Sequence, residues 1–110
     1  MKLIKAIIRP NKIDEVREAL EKLSVSGMTV TDVRGHGRQK GHTAIYRGKE
    51  YSVTLLPKIE IELVVQDDVV DDVIKGIVGA ARTGEIGDGR VFVLPVEYGY
   101  HLRTGDRDMV

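Results

Sequence analysis

The sequence predicts one α+β domain in which two helices cover one face of a four-stranded antiparallel sheet. The chain has 110 residues, which is the usual size of a single domain. A strand–helix–strand pattern occurs over residues 1–35 and again over residues 55–95. Two such units with right-handed crossovers give a ferredoxin-like βαββαβ sandwich. The second face of that sheet needs cover, and packing of three copies into a trimer would supply it.

The first unit begins with an apolar run at residues 3–8, which predicts a buried strand that ends before Pro10. Asn11 is a candidate N-cap for the helix that follows. The apolar residues of that helix recur at helical spacing and form one face. They are Ile13, Val16, Leu20 and Leu23. Residues 28–34 are rich in Thr and Val and predict the second strand.

The second unit begins with an alternation of apolar and charged residues over 55–65, which predicts a half-buried strand. Asp67 or Asp68 is expected to cap the next helix, and Gly84 suits the C′ position after it. The helix has a broad apolar stripe. The stripe consists of Val69, Val70, Val73, Ile74, Ile77, Val78 and Ala81. Residues 90–94 predict the fourth strand.

The two units are joined by residues 35–54, which have no sustained apolar period and contain four glycines. A connection of about twenty residues without regular structure is unusual in so small a domain, and such loops tend to carry function. We therefore predict a single domain over residues 1–110, with a long effector and partner loop at about residues 36–54. A polar C-terminal loop is expected at about residues 97–110.

Composition excludes several classes of protein. The chain has no cysteine, which excludes a disulfide framework, a thiolate zinc site and a cysteine nucleophile. Lys and Arg number 17, as do Asp and Glu, so there is no overall basic charge for nucleic acid. No apolar run reaches the roughly 20 residues of a membrane span, and the first residues lack the apolar stretch of a signal peptide. We expect a cytoplasmic protein that neither binds nucleic acid nor inserts into a membrane.

Glycines at positions 84, 87 and 89 are followed directly by Arg90. Closely spaced glycines let the backbone turn tightly and bring N–H groups close to an anion, and an arginine adds a charge-assisted donor for phosphate. The segment is therefore a candidate phosphate-binding loop. A helix end followed by a tight turn into a strand would use the same glycines, so spacing alone leaves both interpretations open.

A second glycine-rich basic run occupies residues 35–42, at the start of the long connection. This run suits an anionic ligand, and the Gln39 side chain offers a neutral oxygen to a ligand or a hydrated metal. The alternative is a solvated loop. Tyr51, further along, suits either a modifying enzyme or an incidental local contact.

The sequence predicts neither a histidine metal centre nor a catalytic site. His36, His42 and His101 lack the spacing of a helical ligand pair. The acidic residues at the start of the second helix are explained by the helix dipole. We identify no nucleophile–base pair and no paired carboxylates, so we expect a binding protein and not an enzyme.

Over essentially its whole length the sequence resembles the P-II nitrogen-regulatory signal transducers. The motifs that carry the resemblance stand in the family's order and spacing. They are IIRP at 7–10, GMTVT at 27–31, GHGRQKGH at 35–42, YRGKEY at 46–51, LPK at 56–58, TGEIGDGRVFV at 83–93 and RTG at 103–105. The resemblance implies a homotrimer with three clefts between subunits.

The resemblance also implies ligands and partners. Members of the family bind ATP or ADP competitively, and they bind 2-oxoglutarate together with Mg-ATP. A long loop changes shape with the bound ligand and docks onto protein targets. Such targets are an ammonium transporter, nitrogen-assimilation enzymes and regulators.

By position, the resemblance assigns roles to particular residues. The nucleotide phosphates would be held by Gly35, Gly37, Arg38, Gly87, Asp88, Gly89, Arg90, His101 and Arg103, with His101 at a position where the family has Arg. The adenine would be surrounded by Thr29, Glu62 and Val64. Gln39 would coordinate Mg²⁺ and, with Gly41 and Lys58, bind 2-oxoglutarate. Tyr51 matches the tyrosine that many members have uridylylated, which implies a uridylyltransferase as a partner.

The second interpretation is a trimeric ferredoxin-like protein that binds a small anion or a metal without dual sensing of ATP and 2-oxoglutarate. An acylphosphatase-like enzyme of similar fold is a third interpretation and is disfavoured. Such an enzyme would need a phosphate loop between the first strand and the first helix, and residues 10–12 do not resemble one.

Overall fold

The computed structural model describes residues 1–25, 27–36, 43–46, 49–52 and 55–109, with the backbone alone described for 43–46 and 49–52. Within these ranges the chain forms six strands and two α-helices. They are β1 Lys2–Ile8, α1 Ile13–Lys22, β2 Thr29–His36, β3 Thr43–Tyr46, β4 Lys49–Ser52, β5 Leu55–Val65, α2 Val70–Ala81 and β6 Gly89–Pro95.

Four of the strands form an antiparallel sheet in the order β2–β5–β1–β6. The two ends of the sheet are named below after the terminal residues of β6. At the Gly89 end, Ile8 of β1 lies opposite Gly89 of β6. At the Pro95 end, Lys2 of β1 lies opposite Pro95 of β6. This arrangement confirms the predicted α+β sandwich of the ferredoxin-like type.

The hydrophobic core lies between the two helices and one face of the sheet. Alternate residues of β1 and β5 point into it, which confirms the alternation predicted for residues 55–65. The fully or nearly buried residues are Ile4, Ala6, Ile8, Val16, Leu20, Ile59, Ile61, Leu63, Val65, Val73, Ile77 and Ala81. In the described part of the chain, neither helix has the length and apolar content to span a membrane.

The second face of the sheet mixes charged and apolar side chains. Lys5 of β1 forms ion pairs with Glu60 at 3.5 Å and with Glu62 at 3.7 Å on the neighbouring β5. Phe92 and Leu94 of β6 share this face and are 46% and 42% exposed. An amphipathic sheet face of this kind suits contact with another protein surface.

Both helices begin differently from the prediction. The chain enters α1 through a 3₁₀ turn at Pro10–Lys12 and enters α2 through another at Asp67–Val69. Neither Asn11 nor Asp67 or Asp68 caps its helix, because neither helix has a side-chain cap hydrogen bond. The tighter 3₁₀ turns instead supply backbone hydrogen bonds at these positions.

The end of α2 also differs from the prediction. The helix ends at Ala81, and Arg82 already has extended backbone angles. Gly84 therefore does not occupy the C′ position. It has a positive φ of 90° within the turn that follows the helix.

The connection between β2 and β5 contains regular structure that the sequence analysis did not predict. β3 and β4 pair as an antiparallel hairpin in which Thr43 lies opposite Ser52 and Tyr46 opposite Lys49. The expectation of about twenty residues without regular structure is wrong for these two strands. Four-residue strands are too short to show an apolar period, although Thr, Ile and Tyr favour strands.

Candidate functional site

Three parts of the chain meet at the Gly89 end of the sheet. Arg9 directly follows β1, and Lys58 lies in β5. Residues 83–89 lead from α2 into β6, whose first residue is Gly89, and are called the glycine turn below. Gly87 and Gly89 in this turn have positive φ angles of 100° and 105°. Glycine adopts such angles without the strain that a Cβ atom would introduce. The glycines predicted from the sequence therefore do shape the backbone here.

The carboxylate of Asp88 holds the glycine turn together. It accepts hydrogen bonds from the Thr83 backbone N–H at 2.8 Å, the Thr83 hydroxyl at 2.5 Å and the Gly84 N–H at 2.9 Å. The Arg9 Nε atom adds a fourth at 3.1 Å. These donors, with the Thr83 hydroxyl the strongest, hold the pKa of Asp88 well below its usual range. An ionised Asp88 therefore links both ends of the turn.

Two cations contact consecutive carbonyl groups of the same turn. Arg9 Nη2 donates to the Ile86 carbonyl at 2.9 Å, and Lys58 Nζ donates to the Gly87 carbonyl at 2.5 Å. Partial burial and, secondly, the neighbouring Arg9 lower the pKa of Lys58, while Asp88 opposes this shift. Lys58 is thus a crowded cation whose present partner is a neutral carbonyl.

Gly35, which has no side chain, leaves room for the side chain of Lys58. Gly35 in β2 lies beside it, and a Cβ atom added to Gly35 would be 3.2 Å from the Lys58 Cγ atom. Such a contact is tighter than ordinary van der Waals packing, so a side chain at position 35 would crowd the lysine. Gly35 and Lys58, both predicted site residues, are therefore brought together.

A cleft of about 350 Å³ opens beside the glycine turn, between α2 and β6. Its walls are mostly apolar, and the charged residues that line it are Arg82, Asp88 and Arg90. Clefts of this size hold small ligands. With Arg9 and Lys58 nearby, positive charge exceeds negative charge around the turn, which favours an anionic ligand.

The Asp88 contacts lead to a pH-dependent prediction. Because its pKa is lowered in the folded state, Asp88 adds stability above the unfolded-state pKa of about 4 and loses it as pH falls through the folded value. The difference in unfolding free energy between wild type and Asp88→Asn should therefore stay constant from pH 7 to 5. It should shrink below about pH 4. Chemical denaturation at several pH values measures this difference. An equal pH trend for the control Asp72→Asn, on α2, would contradict the assignment.

The residues predicted to surround adenine lie elsewhere on the sheet. Thr29 of β2 is the register partner of Glu62 on β5, and Val64 lies two residues further along β5. All three occupy the second face, away from the helical core. They are closer to the Pro95 end than Lys58 is.

His101 and Arg103 lie in a small hairpin that follows β6. Its backbone is held by hydrogen bonds of 2.8 Å from the His101 N–H to the Asp106 carbonyl and from the Asp108 N–H to the Gly99 carbonyl. The Arg107 guanidinium lies 4.9 Å from the centre of the Tyr98 ring, a cation–π contact. Both predicted site residues are exposed on this hairpin.

Apart from Thr29, Glu62 and Val64, the predicted site residues that the structure places with their side chains form two groups. Gly35, Lys58 and residues 87–90 lie at the Gly89 end, whereas His101 and Arg103 follow the Pro95 end. Gly89 and Pro95 are the two ends of the seven-residue strand β6, so they lie about 20 Å apart. One chain does not bring the two groups into a single pocket.

Several predicted residues cannot be placed. Gly37, Arg38, Gln39 and Gly41 lie outside the described residues, and for Tyr51 only the backbone, in β4, is described. In the part of the chain that the structure describes, no three His, Asp or Glu side chains are grouped to hold a metal ion. The roles assigned to these residues stay predictions.

The sequence analysis assigned no role to Arg9 and Thr83, which hold the glycine turn through Asp88. One signal was present in the sequence. Arg9 directly follows a predicted strand, and the glycine-rich segment directly precedes another. Antiparallel pairing of those two strands would bring both segments to the same sheet end.

Comparison with known proteins agrees with this architecture. The sequence profile described as "Nitrogen regulatory protein P-II" matches residues 1–106. The chain is 56% identical over 108 residues to "Nitrogen regulatory protein P-II 1" of Escherichia coli (strain K12) and to "Nitrogen regulatory protein P-II" of Klebsiella oxytoca. It is 52% identical over 108 residues to "Nitrogen regulatory protein P-II" of Rhizobium etli. Each alignment covers 98% of this chain and 96% of the relative. The chain therefore belongs to the P-II family of nitrogen-regulatory signal transduction proteins.

Proposed function

We propose that this chain is a regulatory, non-enzymatic sensor of ATP or ADP and of 2-oxoglutarate. The observation that carries this proposal is the excess of positive charge around the glycine turn. The cations Arg9, Lys58, Arg82 and Arg90 outnumber the carboxylates Glu85 and Asp88. A polyphosphate or a dicarboxylate needs several cations together with accessible backbone N–H groups. Membership of the P-II family supports the regulatory role.

The nucleotide phosphates are proposed to bind at the glycine turn. Gly87 and Gly89 bear no side chain, and their positive φ angles leave backbone N–H groups that a phosphate can approach closely. Arg90 is the second residue of β6, is exposed, and lines the adjacent cleft. Asp88 supports this arrangement from within the turn, since its carboxylate is already hydrogen-bonded there.

The complete nucleotide site is proposed to form between two copies of the chain in a homotrimer. The residues proposed to bind phosphate lie at the Gly89 end of the sheet, whereas His101 and Arg103 follow the Pro95 end. One copy would therefore supply the first set to a site, and a neighbouring copy would supply the second. The amphipathic second face, with Lys5, Phe92 and Leu94, provides a surface on which copies can pack. This arrangement also accounts for the exposed hairpin that follows β6.

2-Oxoglutarate is proposed to bind at Lys58, whose compact ammonium group suits a carboxylate. Gln39 and Gly41 would contribute to the same site, and the side-chain oxygen of Gln39 would help to hold Mg²⁺. The metal would offset the negative charge of the nucleotide and of 2-oxoglutarate.

The output element is proposed to be the segment at residues 36–54, which contains the hairpin of β3 and β4. It joins β2, which holds Gly35, to β5, which holds Lys58, so both of its attachments adjoin the ligand site. A ligand can shift this segment through differential affinity for its conformations. The proposed partners are an ammonium transporter and nitrogen-assimilation enzymes or regulators. Tyr51 is the proposed site of uridylylation.

Calorimetry and light scattering on the purified chain test this function. We expect binding of ADP and of ATP, and binding of 2-oxoglutarate in the presence of Mg-ATP but not alone. Light scattering should give the mass of a trimer. A stable monomer would contradict the shared site. Binding of inorganic phosphate without any nucleotide binding would favour the small-anion interpretation instead.

A further inference from the structure

The small hairpin that follows β6 spans residues 98–108 and is called the C-terminal hairpin below. Backbone hydrogen bonds of 2.8 Å join its two sides, and Tyr100 lies opposite Arg107 in a β-bridge. A two-stranded hairpin is by itself only marginally stable in water. Contacts between its side chains therefore decide how fully this hairpin is folded.

One face of the C-terminal hairpin carries two tyrosine rings and an arginine. The Arg107 guanidinium lies 4.9 Å from the centre of the Tyr98 ring and 5.9 Å from that of the Tyr100 ring. A guanidinium within about 6 Å of an aromatic ring is attracted by the negative face of that ring, even at an exposed position. Both tyrosines belong to the first side of the hairpin and Arg107 to the second, so these contacts hold the two sides together.

The residues next to this cluster in the sequence meet on the opposite face of the hairpin. His101 Nε2 lies 3.5 Å from Asp108 Oδ1, and the His101 side chain is 56% exposed. His101 directly follows Tyr100, and Asp108 directly follows Arg107. Successive side chains of an extended chain point to opposite faces, which explains the separation. The face that carries His101 is therefore left open by the arginine–tyrosine contacts.

We propose that Arg107 is a positioning residue that holds the C-terminal hairpin folded through its contacts with Tyr98 and Tyr100. The folded hairpin presents His101 and Arg103 to the nucleotide phosphates at the site of a neighbouring copy. This inference rests on the proposed function, in which one copy supplies these two cations to another. A hairpin that is already folded binds more tightly, because no ordering of the loop has to accompany association.

Arg107 acts in this way without touching the nucleotide. The two rings keep its guanidinium on their own face of the hairpin, away from His101. A direct contact between Arg107 and a phosphate would instead require the guanidinium to leave the rings. The two roles therefore make opposite demands on Tyr98, which is the basis of the test.

The test compares Arg107→Gln, Tyr98→Leu and the double variant with the wild type. Arg107→Lys and Tyr98→Phe are the conservative variants, since they keep the positive charge and the ring. Arg17→Gln is the matched control, because it removes an exposed arginine from α1. Calorimetry measures the affinity for ADP. Amide hydrogen exchange at His101 and Asp108 is measured without ligand, and thermal unfolding checks the fold.

We expect Arg107→Gln and Tyr98→Leu each to weaken ADP binding by about 5-fold, the size of an exposed cation–π contact. The double variant should lose no more than either single variant, because a shared contact is lost only once. Exchange at His101 and Asp108 should be faster in all three. The thermal unfolding midpoint should stay at the wild-type value, because the hairpin contributes no residue to the hydrophobic core. Arg107→Lys and Tyr98→Phe should restore most of the affinity.

The contrary results are distinct. If Arg107→Gln weakens ADP binding and Tyr98→Leu does not, Arg107 contacts the nucleotide directly and the positioning role is wrong. Additive losses in the double variant, unchanged exchange at His101 and Asp108, or an equal loss in Arg17→Gln would also overturn it. If the wild type binds no ADP, the proposed function fails. The exchange rates then show by themselves whether Arg107 holds the hairpin folded.

Discussion

Replacing Gly89 with alanine is expected to lower the unfolding free energy by at least about 3 kcal/mol. Gly89 has a φ of 105°, and a Cβ atom added there would lie 1.7 Å from the Ile7 carbonyl oxygen. That oxygen belongs to the backbone of β1, so no side-chain rotation can relieve the clash. The β1–β6 pairing would have to open where Ile8 faces Gly89. Domains of this size have unfolding free energies of only about 5–15 kcal/mol, so the variant should unfold at a clearly lower denaturant concentration than the wild type.

Gly84→Ala is the matched control for this prediction. Gly84 also has a positive φ, of 90°, but an added Cβ atom would meet nothing within 4 Å. The Gly84→Ala substitution should therefore lower the unfolding free energy by about 1 kcal/mol, through backbone strain alone. Denaturant unfolding at one fixed protein concentration measures both variants, because assembly makes apparent stability depend on concentration. Equal losses would show that the contact with Ile7 does not matter.

Lys58→Ala is expected to weaken 2-oxoglutarate binding in the presence of Mg-ATP by about 10- to 100-fold. The variant removes the cation proposed to pair with a ligand carboxylate, and no other charge replaces it at that point of β5. Most of the ADP affinity should remain, because Arg9 and Asp88 still hold the glycine turn. Calorimetry with each ligand separates the two effects.

Lys75→Ala provides the control, since it removes an exposed lysine from α2 without touching the turn. Its 2-oxoglutarate affinity should equal that of the wild type. If Lys58→Ala keeps full affinity for 2-oxoglutarate, the dicarboxylate does not bind at Lys58 of β5. Complete loss of ADP binding as well would instead show that Lys58 is needed to hold the turn.

The central elements of the fold could be predicted from the residues. Charged and apolar residues alternate through β5, and the observed strand has the predicted bounds, 55–65. The apolar stripe of the second helix was also predicted, and Val73, Ile77 and Ala81 are buried as expected. In both cases one side of the element is buried against the rest of the domain, so burial leaves a periodic pattern in the sequence.

Elements without such a pattern were predicted less well. The hairpin of β3 and β4 consists of four-residue strands, too short to carry a period. The helix starts were placed by cap preferences, but 3₁₀ turns at Pro10–Lys12 and Asp67–Val69 take that role. Local preferences of single residues are weak compared with the hydrogen bonds that a neighbouring turn can supply.

The sequence by itself determined the sandwich of two helices on four strands, the glycine turn as a candidate anion site, and membership of the P-II family by resemblance. It did not show how that turn is held. Arg9 and Asp88 are 79 residues apart, and they meet because β1 and β6 pair in one register. Only the tertiary structure decided that Lys58 contacts the Gly87 carbonyl, and that His101 and Arg103 lie beyond the opposite sheet end. The physical reason is that secondary-structure patterns are local, whereas a binding site depends on the register and direction of strands that are distant in the chain.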